Sequence, residues 1–123
     1  MNVMLYAGSI IIMVWGVAHI VPTKSVVKGF GPISEENRQI ITMEWVAEGA
    51  ALCFIGLLTL LVTSFAGPQD PLATTIYRVS AGMLITMAVL TALTGARTSI
   101  IPIKVCPIVK AVAAVLLLVG SIL

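Results

Sequence analysis

Apolar residues gather into four long runs, at about residues 3–21, 40–65, 75–96 and 103–123, separated by short polar stretches. An α-helix needs roughly 20 such residues to cross a hydrocarbon core of about 30 Å, and each run comes close to or exceeds that length. Four spans and three short loops use up the chain. The pattern therefore predicts a single-domain, all-α, multi-pass membrane protein. The first run lacks a basic leading segment and a convincing small-residue cleavage site, and three more runs follow it, so it is expected to stay as a permanent span.

The polar stretches carry their own punctuation. Pro22 closes the first span, and Lys28-Gly29-Phe30-Gly31-Pro32 is rich in turn formers. Ser34 is placed to cap the second helix, with Glu35 and Glu36 at its positive end, so that helix is expected to begin about two turns before the membrane. Gly67-Pro68-Gln69-Asp70-Pro71 forms a tight connection, and Thr98 to Pro102 separates the last two spans. Loops this short make successive helices antiparallel neighbours, which predicts an up-down four-helix bundle. The two halves share no motif, which weakens an inverted-repeat transporter reading.

Composition sharpens the class: 59% of the 123 residues are hydrophobic and 10% charged, and the mean hydropathy of +1.13 lies far outside the range of soluble domains. The net charge of +2 is too small and dispersed for a nucleic-acid partner. Its distribution is more telling. Lys24, Lys28 and Arg38 lie in the first loop and Arg97 and Lys104 flank the third, against Arg78 alone on the opposite side. The positive-inside rule then places loops 1 and 3 in the cytoplasm and both termini outside, in the inner membrane if the cell is bacterial.

Two carboxylates inside the second run stand out against this background. An acid in hydrocarbon is costly unless paired, protonated or wetted, so Glu44 and Glu48 are candidates for a functional site. They lie about 40° apart around the helix, and Ala51 and Ile55 continue the stripe, so this face is expected to look into the bundle. The predicted topology brings further polar groups to the same level: Trp15 and His19 from the first span, Trp45 from the second, Thr94 and Arg97 from the third, Lys110 from the fourth. Adjacent carboxylates repel when both are ionised, so a cation or a shared proton is expected beside them, with Lys110 and Arg97 the available cations and His19 able to give or take a proton.

Several functions can be thinned. One histidine and no Cys-x-x-Cys make a poor transition-metal set, and no metal is expected. Cys53, deep in the second span, and Cys106, at the mouth of the fourth, are badly placed to pair. No phosphate-binding glycine loop or hydrolase nucleophile elbow is present, and no motif names a cofactor. Small multidrug exporters also have four spans, but their essential glutamate lies in the first, where this chain has no acid.

The order of spans, the Gly29-Phe30-Gly31-Pro32 loop, and Glu48-Gly49-Ala50-Ala51-Leu52 followed by Gly56-Leu57-Leu58 resemble the DoxX-like group of small four-helix membrane proteins. They resemble more distantly the sterol-isomerase and sigma-2-receptor type of fold. The first resemblance implies a membrane subunit tied to quinone or sulfur redox partners. The second implies an internal pocket for a hydrophobic amine or sterol lined by acids, with Glu48 as the helix acid and Glu44 its partner.

The expectation that follows is a cytoplasmic-leaflet pocket for a small amphipathic or lipid-like molecule, quinone-like or sterol-like, with membrane lipid around it. Glu44, Glu48, His19, Trp15, Trp45, Arg97 and Lys110 would form the ligand-binding set. Acid/base chemistry by the same group is a subset of this reading. One alternative is a non-catalytic subunit that meets a partner subunit or its own copy through small residues at Gly49, Gly56, Ala88, Ala92 and Gly95. The other is a small proton-coupled transporter.

Overall fold

The computed structural model describes residues 3–123, and these are helical apart from short connections. Helix α1 (Val3–Ile20) is followed by a short α2 (Thr23–Lys28), then α3 (Glu35–Phe65), α4 (Pro71–Leu93), a single 3₁₀ turn (Gly95–Arg97) and α5 (Ile101–Ile122). Four of these, with α4 extended through the 3₁₀ turn, are long and apolar enough to cross a membrane, which fits a multi-pass membrane protein.

The helix ends follow from local chemistry. Ser34 caps α3 by accepting a hydrogen bond from the Asn37 amide at 3.1 Å, with Glu35 and Glu36 in the first turn, so the helix does start ahead of its apolar run. Asp70 caps α4 through bonds from the Leu72 and Ala73 amides, with Pro71 opening the helix, which therefore begins four residues earlier than the apolar run suggests. Gly31 and Gly67 adopt positive φ, 75° and 85°, at the turns that precede α3 and α4. Pro102, expected in the connection, instead sits in the first turn of α5, where a missing amide costs nothing. The short α2 was not expected. Six residues are too few to show periodicity, and what seats the helix is tertiary: Val27 is buried and α2 packs on α3.

Helix α1 lies between α3 and α5, and α4 packs along α5, while α3 and α4 meet only lightly. Leu5, Ile12, Leu52, Tyr77, Leu84 and Leu117 are fully buried between the helices. Hydrophobic side chains as large as Phe54, Val79, Leu90 and Ile108 are exposed around the outside. An exterior this apolar suits hydrocarbon better than water.

The closest approach is between α1 and α3. A Cβ added to Gly16 would come within 2.7 Å of Cys53 Sγ and 2.8 Å of the Gly49 carbonyl oxygen, and one added to Gly56 within 2.6 Å of the Ser9 carbonyl oxygen. Backbone therefore rests on backbone, the packing that small residues permit between helices in lipid. Interhelical hydrogen bonds add to it: Ser9 to Thr59 at 2.6 Å and, between α3 and α4, Thr63 to Tyr77 at 2.7 Å. Gly49 and Gly56 are thus occupied within the chain and offer nothing to a second molecule. Ala88 is buried as well, and a Cβ on Gly95 would meet Ile103 at 2.8 Å, so Ala92 alone of the five expected partner-facing residues is exposed.

Candidate functional site

Lys110 is the centre of the polar cluster. Its side chain has 0% exposure, and its ammonium donates to Glu48 Oε1 of α3 and, at 2.9 Å, to Thr91 Oγ1 of α4. A buried ammonium keeps its charge only when hydrogen bonds and a countercharge are supplied, and here one carboxylate supplies the charge and, with one hydroxyl, partners two of the three N–H groups. Three of the long helices are tied together through one side chain.

The fourth contributes His19, in the last turn of α1. Its ring stacks on Trp45 of α3 with centroids 4.0 Å apart and planes 16° from parallel, and Trp45 Nε1 donates to the His19 carbonyl oxygen at 2.6 Å. Stack and hydrogen bond together fix both rings. His19 Nε2 lies 3.2 Å from Glu48 Oε2, close enough for an electrostatic contact. The angle is wrong for a hydrogen bond, so Nε2 is buried without a hydrogen-bond partner among the described residues.

Glu48 is the half-open member of the group, with 31% of its side chain exposed against 7% for His19. The helical repeat explains this. Gly49, the residue seated against α1, lies about 100° round the helix from Glu48, so Glu48 is turned off that tight contact and reaches His19 of α1 on one oxygen and Lys110 of α5 on the other. Oε1 is held by Lys110, while Oε2 accepts no hydrogen bond among the described residues. The arrangement can receive an oxygen-bearing group, or hold a proton on the carboxylate or the imidazole.

Of the residues expected at this site, the structure brings together His19, Trp45, Glu48 and Lys110. It does not bring in Glu44 or Arg97, both of which are exposed and whose side chains make no hydrogen bond or ion pair among the described residues. Glu44 lies about 40° beyond Glu48 on the side away from α1, enough to carry it out of the packed face. Arg97 belongs to the 3₁₀ turn after α4 has ended. Trp15 is half-buried and donates to Cys106 Sγ at 3.2 Å, an α1–α5 contact of its own. Thr94 faces outward and bonds back to the Leu90 carbonyl oxygen, and its expected place is taken by Thr91. The signal for Thr91 was its spacing from Leu84, Met87 and Ala88, all of them buried on one stripe of α4. Cys53 and Cys106 are both free thiols.

An open groove of about 480 Å³ runs along α1, lined by Met13, Val14, Val17 and Ala18. Val17 lies about 200° round the helix from His19, so the groove is on the outer face of α1 and is separate from the charged centre. No protein-family model, curated protein or solved structure matches the chain.

Proposed function

We propose that the chain is an integral membrane protein, an up-down bundle of four spans, that binds the polar end of a small amphipathic molecule at the His19–Glu48–Lys110 centre. Loops 1 and 3 lie on the cytoplasmic side, as the distribution of Lys24, Lys28, Arg38, Arg97 and Lys104 favours, and the centre lies in the inner leaflet. The ligand enters sideways from the bilayer, along the α3–α4 seam, with its tail left in the hydrocarbon.

The observation that carries this reading is the incompleteness of the centre. Lys110 is fully buried with two of its three N–H groups bonded, whereas Oε2 of the half-open Glu48 accepts no hydrogen bond and His19 Nε2, buried 3.2 Å from it, has no hydrogen-bond partner among the described residues. A purely structural ion pair would be expected to close every polar valence, since each buried one left open costs about 1–3 kcal/mol. The exposed positions of α3 between Ala47 and Leu61 and of α4 between Val79 and Leu93 are apolar or small, which suits a tail lying in lipid. Association through small residues is less favoured, because Gly49 and Gly56 are already covered by α1.

Photolabelling tests the reading. A dodecyl amphiphile carrying a diazirine beside its head group, applied to the protein in phosphatidylcholine vesicles, is expected to label peptides around Glu48 and Thr91. Glu48→Gln should reduce that labelling. Labelling confined to the outer groove around Met13 to Ala18, equal in both proteins, would sink the proposal.

A further inference from the structure

We infer that the head group this centre takes is uncharged and hydroxyl-bearing, one oxygen that donates its proton to Glu48 Oε2 and accepts from His19 Nε2–H. The inference rests on the ligand-binding reading above and adds to it the chemistry of the ligand.

Charge comes first. Glu48 and Lys110 neutralise each other in a region of low dielectric, and the nearest other ionisable side chain is His19, stacked on Trp45. A cationic head drawn to Glu48 would sit within a few ångströms of the fully buried Lys110 ammonium, which cannot move away or be hydrated. An anionic head drawn to His19 would meet the free oxygen of Glu48. Either leaves the enclosed group with a net charge, and low permittivity amplifies the cost. An uncharged head adds none.

Valence comes second. Among the described residues Oε2 is an acceptor without a donor and Nε2 is a buried ring nitrogen without a partner, 3.2 Å apart and misaligned with each other. Two atoms at that separation can both lie within hydrogen-bond distance of a single oxygen, which reaches the buried Nε2 when the half-open Glu48 side chain moves aside to admit it. A hydroxyl has one proton to give and lone pairs to accept with, and it satisfies both groups at once. An ether or ester oxygen can only accept and leaves Oε2 open. An ammonium can only donate, which requires Nε2 to be the unprotonated nitrogen and adds the charge argued against above.

The test is a fluorescence titration of full-length Trp15→Phe protein in phosphatidylcholine nanodiscs, leaving Trp45, stacked on His19, as the reporter. The probes are 1-dodecanol, dodecylammonium and dodecanoate, which differ only in the head. A saturable change in Trp45 emission is expected with dodecanol at concentrations about tenfold below those needed for either ion, the scale of one well-made hydrogen bond in a buried site. His19→Phe, which keeps the stack on Trp45 and removes Nε2, should weaken dodecanol about tenfold with little effect on the ions. Far-ultraviolet circular dichroism shows that each variant is folded, and His19→Gln, which restores a donor, should recover part of the loss. Dodecylammonium or dodecanoate binding as tightly as dodecanol would overturn the head-group assignment and leave the ligand-binding reading standing. No saturable change with any of the three would overturn both.

Discussion

A lysine ammonium with no exposed surface carries its charge only while its surroundings supply what water would, and for Lys110 that means Glu48 and Thr91. Lys110→Met removes the cation and leaves Glu48 facing an apolar interior, so the loss is that of an uncompensated charge rather than of a bond. About 3 kcal/mol of destabilisation is expected, the lower end for a broken buried pair because the open edge of Glu48 admits some water. The Lys110→Met/Glu48→Met double variant, with no charge left to strand, should recover most of that. A denaturation series in detergent micelles on the wild type, both single variants and the double variant measures the coupling, and equal loss in single and double variants would contradict it. Trp45→Phe keeps a ring against His19 but removes the indole donor to the His19 carbonyl oxygen, and about 1 kcal/mol should be lost in the same assay. Four of the seven residues singled out from the sequence meet at this point, because groups at matching depths on separate spans converge once the spans pack. The exceptions are instructive. Glu44 differs from Glu48 by about 40° of helical rotation, and periodicity alone does not locate the centre of a packed face that finely. What locates it is the contact of Gly49 and Gly56 with α1, a tertiary fact.

Among the elements, α1 and α3 depend on each other through missing side chains. Gly56→Ala would put a Cβ against the Ser9 carbonyl oxygen and the Met13 Cβ, at 2.6 and 2.7 Å, and neither neighbour is the movable end of a side chain. The helices must separate, which also stretches the Ser9–Thr59 hydrogen bond, and a loss of about 1–3 kcal/mol is expected in thermal unfolding. Gly82 makes the contrast: a Cβ there meets nothing within 4 Å, and the residue lies mid-helix in α4. Gly82→Ala should therefore stabilise, by up to about 1 kcal/mol, since alanine gives up less backbone freedom in forming a helix. Helix existence was legible from the apolar runs, whereas helix ends were legible only where a cap was. Ser34 announced the early start of α3. Asp70 did the same work for α4 but, lying within a Gly-Pro-rich stretch, read as loop. The helix α2 has no sequence signal of its own, because the buried Val27 that seats it is one residue in six.

For the whole molecule, the arrangement of spans and the distribution of charge make one joint statement that labelling can check. The contacts of α1 with α3 descend in α3 as they climb in α1: Ser9 meets Thr59, Gly16 meets Cys53, and His19 meets Trp45. In the same way Arg78 of α4 reaches Ser121 of α5 and Thr91 reaches Lys110. In the proposed up-down arrangement, which these contacts support, the first and third loops lie on one side and the second on the other, and the five cations around loops 1 and 3 share a surface that Arg78 does not. The proposed orientation, from the positive-inside rule, makes that surface the cytoplasmic one. Lys24→Cys and Gln69→Cys place a thiol at an exposed position in α2 and in the α3–α4 loop respectively. In sealed inside-out vesicles a membrane-impermeant maleimide should label the first variant and spare the second, and in right-side-out vesicles the reverse. Wild-type protein, with its free Cys53 half-buried and Cys106 buried among the helices, supplies the background. Labelling of both positions from one side would refute the alternation itself, whereas opposite-sided labelling with the two vesicle types exchanged would keep the alternation and move the charged centre to the outer leaflet.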